Sequence, residues 1–199
     1  MTGESKEFGY EALSELFHRY LTGLILAIVV ELGEDRAADV VRALFRRQQE
    51  ERFLPGLEKL GLTDESDAVA CAKYHFLSNI VGGVSVTYVE ESNTKAWIRY
   101  LPPRWIFDGT AIAAIPTQVA RAMLWGWHAN NGVLLGNPSL GFVCTGQTMD
   151  GAAGLEGYYI QENRLLEADE RLRFRFGESC PPINEEALPK LDHQEWPDE

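Results

Sequence analysis

The first half of the chain repeats its apolar residues at the spacing of amphipathic helices. Over residues 10–32 they recur every three or four positions, and Gly33 is a natural stop. A second helix is predicted over residues 35–60, kinked or broken by Pro55, and a third over residues 63–81, capped by Thr or Asp. The pattern therefore predicts that three long helices come first.

The period then changes to the alternation that is typical of strands. Two β-branched and aromatic runs around a turn at Ser92 predict a β-hairpin, and Pro and Gly make residues 101–115 a long loop. Pro116 suits the first turn of a fourth helix, which extends past Trp127 towards Leu135. Three further strands are predicted over residues 140–148, 155–161 and 171–176.

The predicted order is ααα-ββ-α-βββ. Short connections favour an α+β fold in which the N-terminal helical half packs on an antiparallel sheet of about five strands. Residues 1–176 are expected to form one domain, and residues 177–199 an acidic, Pro-containing C-terminal tail.

Composition narrows the range of partners and compartments. The 199 residues carry a formal charge of −12, which opposes binding to nucleic acid or to an anionic membrane. Three cysteines fit a reducing compartment, and no apolar signal core follows the first residues, so we expect a cytoplasmic protein. The most apolar run, residues 24–32, is shorter than a membrane span and is expected to be a buried helix segment.

One stripe of the third helix is a candidate site. At 100° per residue it carries Cys71, His75, Ser78 and Asn79, small polar residues where a solvent-facing stripe normally has Lys and Glu. The stripe could line a pocket in which His75 activates a Cys71 thiolate. The alternative is that Cys71 is a small buried hydrophobe and His75 makes one structural hydrogen bond.

The fourth helix carries a second cluster of aromatic and polar residues. His128 and Asn131 are three residues apart, beside Trp127, and Trp105 in the preceding loop could close a ligand pocket as a lid. The competing interpretation is a tryptophan-rich core whose indole N–H groups are satisfied by Asn.

The sequence gives little support for a metal or an organic cofactor, and we predict neither. The four histidines stand far apart, and Glu15-x-x-His18 has no second copy of the kind that a di-iron bundle needs. A Gly-x-Gly-x-x-Gly fingerprint, a Gly-x-Ser-x-Gly elbow and a phosphate-binding loop are all missing.

Three C-terminal stretches carry a family resemblance: LGFVCTGQTMDG (140–151), EGYY (156–159) and EADERLRFRF (167–176). Together they resemble the end of the L-2-amino-thiazoline-4-carboxylic acid hydrolase family, which similarly joins N-terminal helices to a β-rich end. Members often finish with Gly-Asp, then Cys, then Phe-Arg-Phe; here Ala168 stands in place of that Gly and Leu172 in place of that Cys. The tail is also similar to that of the vinyl-reductase-type small-ligand domain.

Two functions follow as expectations. The first is a small cofactor-independent enzyme, a hydrolase of a C–N bond in a small, possibly cyclic substrate. His75 or His128 would be its general base, and Asn131 or Arg99 would orient the substrate. The expected substrate contacts also include these side chains: Trp105, Trp127, Asn79 and Tyr158. The second is a non-catalytic small-ligand-binding or sensing domain. A homodimer through the apolar first helix is plausible under either.

Overall fold

A computed structural model describes residues 3–81, 83–101 and 114–189. Its helices are α1 (Gly3–Leu32), α2 (Glu34–Lys59), α3 (Asp67–Val81), α4 (Thr117–Gly126) and α5 (Asn131–Leu134). Its strands are β1 (Val86–Ser92), β2 (Lys95–Tyr100), β3 (Leu140–Gly146), β4 (Leu155–Gln161) and β5 (Leu172–Phe174). The α+β prediction, with N-terminal helices followed by five strands, is confirmed.

The sheet has the order β1-β2-β4-β3-β5 and is mixed. β1, β2, β4 and β3 pair antiparallel, as expected, but β5 runs parallel to β3. A short connection out of β4 has to reverse direction, and both edges of β4 are already occupied by β2 and β3. The returning strand therefore takes the free edge of β3, which runs in the same direction as β5.

All four predicted helices differ from their predicted bounds: α1 begins at Gly3 and α3 at Asp67, and the other two differ in where they are interrupted. α2 continues through Pro55 without ending there, because Phe53 and Leu57 on either side of it are both buried against the core and hold the helix in place. The fourth helix, predicted to be continuous towards Leu135, stops at Gly126; a 3₁₀ turn over His128–Asn130 separates it from α5. That turn reorients the side chains that follow it.

The two faces of the sheet bury different sets of residues. One face packs on the helices in the main core, through Ile98, Phe142 and Tyr159 among others. The opposite face holds a small cluster of Trp97, Val143 and Tyr158, with Cys180 packed against it. Alternation of side chains along each strand produces this division.

The beginning of the tail is fastened to this second face. The Tyr158 hydroxyl donates to Glu178 at 3.0 Å, and the backbone N–H of Cys180 donates to Glu156 at 3.1 Å. Residues 178–180 therefore cover part of the sheet, whereas residues 190–199 lie outside the described part of the chain.

α1 lies at the outside of the molecule and packs mainly against α2. Ile25 is buried, but Leu24, Val30 and Leu32 are 44%, 79% and 60% exposed, so the prediction of a buried segment over residues 24–32 was wrong. The run failed as a predictor of burial because α1 is apolar on more than one face. By length and composition alone, Ala12–Leu32 could cross a membrane, and 11% of it is buried.

Candidate functional site

Two histidines from separate elements meet at the centre of the core. His75 of α3 stacks on His128 of the 3₁₀ turn, with ring centroids 4.4 Å apart and planes 10° apart. Tyr159 of β4 lies nearly parallel to both rings, 5.8 Å from His75 and 6.1 Å from His128. The break after α4 is what directs His128 inward against α3 and the sheet.

A chain of buried hydrogen bonds ends on the His75 ring. The Asn130 amide donates to Gln49 Oε1 at 2.9 Å, and Gln49 Nε2 donates to Asn131 Oδ1 at 3.1 Å. Asn131 Nδ2 then donates to the Tyr159 hydroxyl at 2.9 Å and lies 3.5 Å from His75 Nε2. Each amide fixes the orientation of the next, because an amide oxygen only accepts and an amide nitrogen only donates.

The donor-to-acceptor direction of these hydrogen bonds assigns the tautomer of His75. An amide N–H facing Nε2 requires Nε2 to be the accepting nitrogen, which places the ring proton on Nδ1. Nδ1 lies 2.8 Å from the Tyr100 hydroxyl oxygen, so it donates to that oxygen. The neutral, Nδ1-protonated form is the one that satisfies both contacts.

Burial makes His75 and Cys71 poor participants in proton transfer or nucleophilic attack. It lowers the pKa of His75 from 6.5 to about 3, because the imidazolium would lose its hydration. Burial, and then the charge of Asp67, raise the pKa of the Cys71 thiol well above its ordinary value, and a hydrogen bond from Asn131 only partly opposes them. Near neutral pH both groups are uncharged.

A cavity of about 420 Å³ opens above the histidine pair. Its described walls are mainly aromatic and apolar, with a few polar groups: Phe45, Gln48, Arg52, Tyr74, His75, Ser78, Asn79, Tyr100, Met123, Trp127, His128 and Leu155. Gln48 and Arg52 on α2 are exposed and form part of the rim, while His75 and His128 are buried. The volume falls in the range of small-molecule sites, which is about 300–1,000 Å³.

Trp127 contributes a buried donor to this wall. Its ring lies 6.2 Å from that of Tyr74 and 6.0 Å from that of His75. Its indole N–H has no acceptor among the described residues. Buried donors rarely lack a partner, so this N–H is an exception beside the cavity.

The structure brings together most of the residues that the sequence indicated. His75, His128, Asn79 and Trp127 line one cavity, so the α3 stripe and the cluster after α4 share a site. Asn131 and Cys71 lie just behind its wall: Asn131 contacts His75, and Cys71 is fully buried beside Asn131.

Two further residues named from the sequence, Arg99 and Tyr158, are not at the cavity. Arg99 pairs with Glu156, and Tyr158 packs against Trp97 with ring centroids 4.5 Å apart. Both lie on the far face of the sheet, because their neighbours Tyr100 and Tyr159 face the helices and side chains alternate along a strand. Trp105 lies outside the described residues.

Sequence reasoning missed several contributors to the site. Gln49 had a usable signal: it interrupts a stripe of α2 whose other members, at every fourth position, are apolar and buried. A polar residue in such a stripe requires a buried partner. Arg52 and Tyr100 gave no comparable signal, since their position depends on how α2 and β2 meet across the fold.

Metal ligands are not gathered anywhere in the described ranges: no group of three or more His, Cys, Asp or Glu side chains could hold an ion there. The site among those residues consists of neutral rings and amides beneath an arginine.

Comparison with known proteins assigns no family to this chain. It matches no protein-family model, no curated protein and no solved structure. The functional argument therefore rests on the geometry of the site.

Proposed function

We propose that this protein binds a small, planar, anionic molecule in the cavity above His75 and His128. The observation that carries the proposal is the cavity itself, whose aromatic walls converge on the buried pair of His75 and His128, with His75 held by hydrogen bonds, and whose rim holds a guanidinium. Flat apolar walls select a ring, and a few fixed polar groups select its orientation.

The charge of the lining favours an anion. Arg52 is the one formally charged side chain among the described residues of the cavity wall, and that part of the wall contains no carboxylate. A planar guanidinium pairs with a carboxylate through two parallel hydrogen bonds. On a chain of charge −12, a stretch of described wall with one arginine and no carboxylate is a local exception that suits an acidic ligand.

The proton affinities favour binding over catalysis. A general base works best when its pKa is near the working pH, and the pKa of His75 is about 3. A cysteine nucleophile has to reach the thiolate, which burial of Cys71 opposes. Of the two functions expected from the sequence, these shifts favour the small-ligand-binding domain.

Ligand-observed NMR and calorimetry test the proposal. The probes are benzoate, nicotinate and 2-thiazoline-4-carboxylate, each paired with its neutral carboxamide. We expect saturable one-to-one binding of at least one acid and at least about tenfold weaker binding of its amide, corresponding to about 1.4 kcal/mol. Arg52→Gln should remove that preference, while Arg47→Gln, which loses an exposed pair with Glu51, should retain it. Equal binding of acids and amides, or none, would contradict the proposal.

Hydrolysis of a C–N bond is the second candidate, and one observation favours it. The Tyr100 side chain lines the cavity and its hydroxyl contacts His75 Nδ1, which would connect a bound molecule to the buried ring. Formation of product in excess of protein, lost in Tyr100→Phe, would establish this candidate in place of simple binding.

A further inference from the structure

α1 carries an apolar stripe that faces away from the molecule. We define the α1 stripe as Leu13, Leu16, Phe17, Tyr20, Leu24 and Ala27, all of them exposed. Their spacing of three or four residues places them on one side of the helix. Thr22 and Ile25, which are buried, lie on the other side.

We propose that a second copy of this chain covers the α1 stripe, forming a homodimer through α1. Apolar residues that repeat every three or four positions along a helix are what a second helix packs against. An identical helix offers the same spacing and the same side chains, as a twofold interface requires.

The area of the stripe is sufficient for such an interface. Leu13, Leu16, Phe17, Tyr20 and Leu24 are between 44% and 65% exposed. If a large side chain presents roughly 150–200 Å² when fully exposed, these five contribute on the order of 500 Å² per copy. Two copies then bury on the order of 1,000 Å², the lower bound for a specific interface.

The charges of α1 favour a protein partner over a lipid bilayer. The segment Ala12–Leu32 would extend about 31 Å as a helix, close to the thickness of a hydrocarbon core. It contains Glu15, Arg19 and Glu31, however, and charges inside a bilayer are costly. The stripe itself is uncharged from Leu13 to Ala27, and the exposed pair of Glu15 and Arg19, at 2.5 Å, lies outside it. An uncharged apolar stripe on a helix whose charges lie elsewhere fits a helix–helix interface.

Sedimentation equilibrium tests this across micromolar concentrations. We expect the wild-type protein to approach twice the 22.3 kDa of one chain. Phe17→Glu should weaken association by roughly 100-fold, because it places a charge in the centre of the interface. The matched control is Leu165→Glu, which also replaces an exposed apolar side chain by Glu, at a residue that is 70% exposed in the loop after β4; it should remain dimeric. Circular dichroism of both variants verifies that they fold, which is expected since both sites are exposed.

Three outcomes would overturn the proposal. The first is a monomeric wild-type protein. The second is a Phe17→Glu variant that dimerises like Leu165→Glu, which would place the interface elsewhere. The third is a monomer that floats with phosphatidylcholine vesicles and loses this property in Phe17→Glu, which would make a membrane the partner of the stripe.

Discussion

The buried amide chain behind the cavity gives the sharpest test of the site. Gln49 and Asn131 are both fully buried, and Gln49 Nε2 donates to Asn131 Oδ1 at 3.1 Å. Gln49→Met keeps the length of the side chain and Asn131→Leu keeps its branching, while each removes the amide. The cost should therefore come from the partners that each substitution leaves behind.

Each single substitution should lower the free energy of unfolding by about 2–4 kcal/mol. Gln49→Met leaves the Asn130 N–H and Asn131 Oδ1 without their partner, and Asn131→Leu leaves Gln49 Nε2 without its acceptor. A buried polar group that loses its partner costs about 1–3 kcal/mol. The double variant removes both members of the pair, so its loss should be smaller than the sum of the singles by at least about 1 kcal/mol.

Urea unfolding followed by circular dichroism measures the free energy of unfolding of the wild-type protein, the two single variants and the double variant. Gln118→Met is the control. It makes the same change as Gln49→Met at an exposed hydrogen bond to Asp35 and should cost no more than about 0.5 kcal/mol. If the two single losses add to within about 0.5 kcal/mol, the pair is not coupled and the orientation of His75 needs another explanation.

Three further predictions concern pH, thiol reactivity and helix packing. His75 stays neutral when folded, with a pKa of about 3, but is protonated below pH 6.5 when unfolded, so stability is full above that pH and falls below it. In urea unfolding, the free energy of unfolding of the wild-type protein should fall by about 2 kcal/mol more than that of His75→Phe between pH 6.5 and 5. Iodoacetamide at pH 8 should alkylate Cys180 before Cys71, as followed by mass spectrometry. Cys180 is half-buried with its pKa raised to about 11, chiefly by burial. Cys71 is fully buried, which denies the reagent access, and burial raises the pKa of its thiol well above the ordinary value. Gly126→Ala should destabilise by about 1–3 kcal/mol, because the new Cβ would lie 2.6 Å from a backbone oxygen of α2; Gly23→Ala, in open space on α1, should stabilise by about 0.5–1 kcal/mol in the same assay.

Local pattern was sufficient for the elements of this fold and insufficient for their junctions. The period of three to four and then of two predicted the helices and the five strands. The parallel pairing of β3 with β5 escaped prediction, because it depends on which sheet edge is free and not on any residue of β5. The end of α4 at Gly126 was not predicted either. The residues after it favour no particular break, and the position of the break depends on the packing of His128 against His75.

The site was predictable only as far as helical geometry extends. His75 and Asn79 share an α3 stripe, so their joint presence at the cavity follows from 100° per residue. Which of Arg99 and Tyr100 lines the cavity depends on which face of β2 is turned to the helices. Both faces of that strand bury large side chains, Trp97 on one and Tyr100 on the other, so alternation alone could not decide.

The amide chain explains why so much polar structure is buried next to an aromatic cavity. If His75 only filled space, an apolar ring would do so at a lower cost in free energy, because a buried polar ring requires several hydrogen-bonding partners. The partners here come from α2, β2, β4 and the segment after α4, and together they hold one tautomer and one plane of His75. A ring fixed in this way presents the same face and the same hydrogen-bonding pattern to every molecule that enters, without losing side-chain entropy on binding. An apolar core would stabilise the fold about as well as this rigid polar network does. The advantage of the network is that it favours selective recognition of one small ligand. For this reason the substitutions at Gln49 and Asn131 should weaken ligand binding even in proteins that remain folded.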